Sequence, residues 1–210
     1  MTPVEVSLDV SPSSEPVWFQ KHVAFSAFQR QGIQIICASF KHADKKSVKG
    51  NVVVVTGWSE SFMKYVDLIK MCYELGFDVY TYDHQSQGLS GRWLSENQST
   101  YVESFEDYVD DFVYFMTTVV QEDGGTEGSA KLPNYLIACS MGGLVTSIAM
   151  TRQPTLINRA VLVAPMFRNK CSAKYLDHLY PLPQQLVYWI STIACYAGKC
   201  ANMHVLFIVD

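Results

Sequence analysis

Leu136-Ile137-Ala138-Cys139-Ser140-Met141-Gly142-Gly143 decides how the rest of the chain is read. An apolar run ends on a serine set between small residues, and a helical pattern begins at once. This is the strand–turn–helix form of a nucleophile elbow, written Ala-x-Ser-x-Gly in place of the commoner Gly-x-Ser-x-Gly. The chemistry needs the sharp turn. A serine at its tip exposes its hydroxyl, and the backbone N–H that follows, that of Met141, faces a developing oxyanion. Small neighbours are required because strand and helix approach closely around a strained backbone. Ala138 adds one methyl where glycine is usual, which a small shift of the helix accommodates.

Outward from the elbow, short apolar strands alternate with helical periods. Asn51 to Thr56 contains four consecutive valines, the pattern of a strand buried on both faces. Phe62, Val66, Ile69 and Tyr73 recur at helical spacing up to Gly76, a C-cap residue. Phe77 to Tyr82 reads as a strand ending in Asp83. Phe105, Val109, Phe112, Val113 and Met116 make an amphipathic helix, and Gln121 to Pro133 a Gly-rich loop. Tyr135 to Cys139 is a strand, Gly142 to Arg152 a helix and Ala160 to Ala164 a strand. Upstream, Val17 to Phe28 and Ile33 to Phe40 predict an antiparallel hairpin around Gln31-Gly32. The class is therefore α/β: a mostly parallel sheet, helices on both faces, and an N-terminal antiparallel hairpin. Ligands of such sheets bind beyond the carboxyl ends of the strands. Thr56-Gly57-Trp58, Asp83-His84, Ser140 and Pro165-Met166 all fall at those ends.

Bulk properties narrow the function. With 210 residues, 49% apolar and 17% charged, one domain with a substantial core is expected and a disordered chain is not. A net charge of −4 provides no basic footprint for nucleic acid. The six cysteines (Cys37, Cys72, Cys139, Cys171, Cys195, Cys200) show no zinc spacing and read as free thiols of a reducing compartment. No metal or cofactor is implied. Glu5, Asp9 and Glu15 interrupt the N-terminus, so no secretory signal is expected. The strongly apolar stretch Leu186 to Gly198 is thirteen residues, too short for a bilayer core of about 30 Å. It fits a short helix that covers a pocket or touches a lipid surface. Cytoplasmic location, with peripheral membrane contact through this segment, is the corresponding expectation.

Five segments together resemble the α/β-hydrolase lysophospholipases and monoacylglycerol lipases, the serine aminopeptidase S33 type. They are Gly57-Trp58-Ser59-Glu60-Ser61, Gly76-Phe77-Asp78-Val79, Tyr82 to Arg92, Ser140-Met141-Gly142-Gly143 and Ala164-Pro165-Met166-Phe167. Their order and spacing match over roughly residues 20 to 170, and the bacterial lysophospholipase branch looks most similar. The family usually has glycine at Ala138, often histidine at Cys139, and glycine at Ser86, where serine has to accept a positive φ. Residues 1–16, with Ser11, Pro12, Ser13, Ser14 and Pro16, read as a flexible lead-in, and the resemblance implies an α/β-hydrolase core over 17–170 and a partial helical cap with a truncated tail over 171–210.

The resemblance also implies roles. Ser140 is the nucleophile that forms an acyl-enzyme, and the backbone N–H groups of Trp58 and Met141 are the oxyanion donors. The plainer reading of Gly57-Trp58 is a turn with a packing indole. Asp83 and His84 are adjacent, and adjacent side chains at a strand end diverge, so they read as a structural pair and not as a relay. Glu60 reads as a hydrogen-bonded loop anchor. His22 and His42 lie in the hairpin region, remote from the rim.

In this fold the acid and then the histidine follow the serine. The resemblance places both after the cap, beyond residue 210, together with the last strands. Met203 to Val209, an apolar run ending in Asp210, is alternatively the strand carrying the acid, but no histidine follows it. Three accounts stay open: a piece of a longer hydrolase, a non-catalytic relative that binds a lipid or protein partner, or a substitute base in His178 or His204. The function expected is a serine ester hydrolase acting on lysophospholipids or monoacylglycerols. The aromatic cap segment, with Tyr175, Tyr180, Tyr188 and Trp189, favours an acyl-ester lipid substrate.

Overall fold

The computed structural model describes residues 2–94, 100–121, 132–167 and the backbone of 203–206. Val53 and Val55 point into one apolar cluster and Val52 and Val54 into another, so the strand β4 (Asn51–Val55) is buried at every position. That is why four valines in a row are tolerated: neither face meets water. Its neighbour β5 (Asp78–Tyr82) is likewise buried throughout.

The other strands are β1 (Val4–Glu5), β2 (Val23–Arg30), β3 (Ile33–Phe40), β6 (Asn134–Cys139), β7 (Arg159–Val163) and β8 (Met203–Leu206). They form one sheet in the order β1-β2-β3-β5-β4-β6-β7-β8. Pairing is antiparallel from β1 to β5 and parallel from β5 through β4, β6 and β7 to β8. One face is covered by α3 (Phe105–Tyr114) and α4 (Met141–Arg152), whose Tyr108, Phe112, Val145 and Ala149 meet Val53, Tyr80 and Leu162. The other is covered by α1 (Pro16–His22) and α2 (Val66–Glu74), whose Phe19, Val66 and Ile69 meet Val52, Phe40 and Val79.

Local chemistry sets the helix ends. Ser104 and Asp107 form a reciprocal capping box at the start of α3, which continues as a π-helical segment Phe115–Val120. A 3₁₀ turn at Phe62–Tyr65, capped by Ser61, leads into α2. Gly76, at φ +90°, closes the turn after it.

One expectation about the N-terminus is corrected. Val17 to Phe28 is not one strand: Pro16–His22 is helical, with proline in its first turn, and β2 starts at Val23. Trp18 and His22, four apart, stack at 4.9 Å on one side of α1, a helical contact that a short aromatic run does not distinguish from β alternation. Val4 and Glu5 pair with Ala27 and Ser26, and Val6, Leu8 and Val10 pack on the α1–α2 face.

The apolar run from Met203 contributes β8, parallel to β7. The cap expected over Lys174 to Gly198, and with it His178, lies outside the described residues, as does most of the 121–133 loop. No helix among the described residues is long and apolar enough to cross a membrane.

Candidate active site

Val55 is level with Tyr82 and Ala138, and Cys139 with Val163, so the residues that follow share one rim. Ser140 follows β6 with φ +48° and ψ −116° and caps α4. No ordinary strand or helix has these angles; the strain is held by three backbone hydrogen bonds. The Ser140 N–H donates to the Val163 carbonyl at 3.0 Å, and the Ser140 carbonyl accepts from Gly143 at 3.0 Å and Met166 at 2.9 Å. Met141 is the first residue of α4, where backbone N–H groups lack helical partners.

The turn after β4 lies directly against this elbow. A Cβ built on Gly57 would stand 3.1 Å from the Ser140 Cβ and 2.9 Å from a Glu60 carboxylate oxygen. Trp58, next along, is 45% exposed, its indole edge-on to the Tyr108 ring at 6.3 Å. Glu60 accepts hydrogen bonds from the Gly57 N–H (2.9 Å), the Tyr65 hydroxyl (2.6 Å) and Lys64 Nζ (2.7 Å). Partial burial pushes the Glu60 pKa up, but these donors outweigh it and hold the carboxyl below its usual value. Glu60 is thus a loop anchor, its carboxylate's hydrogen bonds directed at its own turn and helix. Cys139, just before the nucleophile position, is a half-buried free thiol. Burial first, then the Glu60 charge, raises its pKa, so the thiol stays neutral.

Asp83 and His84 do diverge. The Asp83 carboxylate accepts from Ser61 Oγ (2.9 Å), Phe62 N–H (2.8 Å) and Leu89 N–H (2.7 Å), tying the loop after β5 to the turn after β4. Burial pushes its pKa up to about 6 against those hydrogen bonds. His84 turns the other way, between the rings of Tyr82 and Tyr108, with Nε2 3.3 Å from the Thr56 carbonyl and Nδ1 unpartnered. Burial lowers its pKa to about 4, so it is neutral at physiological pH. Ser86 takes the positive φ expected of it, +59°, and Arg92 caps the loop by donating to the carbonyls of Ser86 and Gly88.

Two more histidines have described side chains, and both are remote from Ser140. His22 stacks on Trp18, and His42 bonds Asp78 at the opposite end of β5. His204 sits on β8 opposite Val161, two positions back from the Val163–Leu206 pair level with Cys139. Of the histidines whose side chains are described, His22, His42 and His84, none is brought to Ser140. Tyr65 and Lys64 carry no assigned role in the sequence reading; the i, i+4 spacing of Glu60 and Lys64 is the one local signal for their pairing.

The solved structures similar to this chain share its α/β-hydrolase architecture. A thermostable carboxyl esterase from Bacillus coagulans, in complex with glycerol, superposes with a TM-score of 0.61 at 19% identity, covering 92% of this chain and 55% of the esterase. Residues 46–202 match the family model described as serine aminopeptidase, S33, and the chain belongs to that hydrolase family. It is 38% identical to lysophospholipase L2 of Escherichia coli over 116 residues, and 28% identical to monoglyceride lipase of Rattus norvegicus over 118. These stretches are 55% and 56% of this chain but only 32% and 35% of the two relatives, so the chain spans about a third of their length.

Proposed function

We propose that the protein is a serine hydrolase of acyl-ester lipids, with lysophospholipids or monoacylglycerols as substrates and Ser140 as nucleophile. The strained backbone of Ser140, with Gly57 packed against its side chain, is the observation that carries this reading. Ser140 Oγ attacks the ester carbonyl, and the carbonyl oxygen becomes an oxyanion held by the N–H groups of Trp58 and Met141. Collapse expels the alcohol, which takes up the proton released by the serine. Water then adds to the acyl carbon, and the carboxylic acid leaves with Ser140 restored. No metal or cofactor enters the scheme. The base and its acid partner come from outside the described residues; oxyanion binding alone leaves only a small residual reactivity.

The substrate class rests on the names of the two relatives and on the apolar, aromatic composition of 171–210, read as a cap over the acyl chain. The same segment would give peripheral contact with a lipid surface. Free thiols at Cys37, Cys72 and Cys139 suit a cytoplasmic location.

Fluorophosphonate labelling of the purified chain, with Ser140→Ala as control and circular dichroism on both, tests the proposal. Labelling lost in the variant supports Ser140 and a base within these residues. A folded chain that stays unlabelled points to a binding protein, or to a base outside this sequence.

A further inference from the structure

We propose that Glu60 is the positioning residue of the oxyanion turn, its carboxylate clamping the Gly57 N–H so that the Gly57–Trp58 peptide is held against Ser140. The inference rests on the reading of Ser140 as nucleophile, and it assigns the specific group that orients its oxyanion donor.

Gly57 is gripped from two sides. The space a Cβ would need is taken by Glu60 Oε2 at 2.9 Å and by the Ser140 Cβ at 3.1 Å. The same oxygen accepts the Gly57 N–H at 2.9 Å, which fixes the peptide preceding Gly57 and restricts how the next one, carrying the Trp58 N–H, is presented. A carboxylate is suited to this task, since hydrogen bonds to a charged acceptor are about twice as strong as neutral ones. One acceptor also serves two donors here, because Tyr65 reaches the same oxygen at 2.6 Å while Lys64 neutralises the other at 2.7 Å.

The clamp is itself held in place. The Glu60 N–H donates to Gln87 Oε1 at 3.3 Å, and the next two residues, Ser61 and Phe62, both donate to Asp83. Burial first, then Glu60, raises the pKa of the Tyr65 hydroxyl, which keeps it a donor.

The test combines a backbone signal with a rate. In the chain labelled with 15N-glycine, the Gly57 amide resonance is followed from pH 7 downward, in the wild type and in Glu60→Gln. The expected result is a Gly57 shift that titrates below the usual glutamate value of about 4.3 and is absent from the variant. Fluorophosphonate labelling should slow about 100-fold in Glu60→Ala, as for a catalytic group displaced by roughly 1 Å. Glu60→Gln, which keeps an acceptor oxygen, should recover most of that loss. A Gly57 amide indifferent to the Glu60 charge overturns the clamp, as does wild-type labelling speed in Glu60→Ala. If Gly57 follows Glu60 while the wild type is never labelled, the clamp stands and what fails is the reactivity of Ser140 in this chain by itself.

Discussion

A Cβ on Gly142 would lie 2.4 Å from the Thr56 carbonyl oxygen and 2.9 Å from that of Val55, so the first turn of α4 touches the end of β4 backbone to backbone. That contact sets how near the elbow comes to the oxyanion turn. The Val55 Cγ1 is as near, at 2.9 Å, so no side chain fits on Gly142. Gly142→Ala must therefore push α4 away from the sheet. We predict a loss of about 1–3 kcal/mol by urea denaturation, the usual range for overpacking. Labelling of Ser140 should fall with it; an unchanged denaturation midpoint would contradict the close approach.

Ser140 occupies a backbone conformation, φ +48° and ψ −116°, that glycine adopts at little cost and serine does not. Ser140→Gly is therefore expected to raise stability by about 1 kcal/mol while abolishing labelling. Thermal unfolding beside Ser140→Ala, which keeps the strain, checks this. If alanine and glycine variants melt together, the turn stores no strain.

At Trp58 the backbone and the indole make separable predictions. Trp58→Ala keeps the N–H and should label at close to the wild-type rate. Trp58→Pro removes the donor and should label about 100- to 1,000-fold more slowly, the usual loss for one oxyanion donor. Equal rates for the two variants would assign the oxyanion contact elsewhere.

Buried His84 supplies a pH signature. Its pKa is lowered to about 4 in the fold against 6.5 when free, so between those values the unfolded chain binds a proton that the folded chain refuses. Its contribution to stability is thus fully present above pH 6.5 and lost as pH falls toward 4, at no more than about 1.4 kcal/mol per pH unit. Asp83 and Asp111, both raised to about 6 by burial, act in the opposite sense, losing stability as pH rises through 6. They are common to wild type and His84→Phe and cancel in the comparison. The variant should gain on the wild type as pH drops from 6.5 to 4; parallel curves would mean that His84 is not buried neutral.

Much of the rim was legible along the chain. The four valines of β4 read as a doubly buried strand because burial on both faces removes the polar half of the alternation. Ser86 could be expected at positive φ because it replaces glycine in an otherwise matching loop, and it sits at +59°. The helix at Pro16–His22 was not legible: seven residues with two adjacent aromatics do not separate helical from extended periodicity. Its burial is decided by Phe40 and Tyr73, far along the chain.

The sequence by itself determined the class of fold, the position of the elbow and the residues gathered at the rim. All three follow from local properties: side-chain polarity at a given period, and the backbone angles that small residues permit. Only the tertiary structure decided which of these residues touch. Glu60 meets Gly57 and Tyr65, Asp83 meets Ser61 and Leu89 while His84 turns away, and Gly57 closes on Ser140. Those contacts depend on β4 lying between β5 and β6, an order of strands that no local periodicity encodes. It arises when apolar faces distant in sequence find the one arrangement that buries them all.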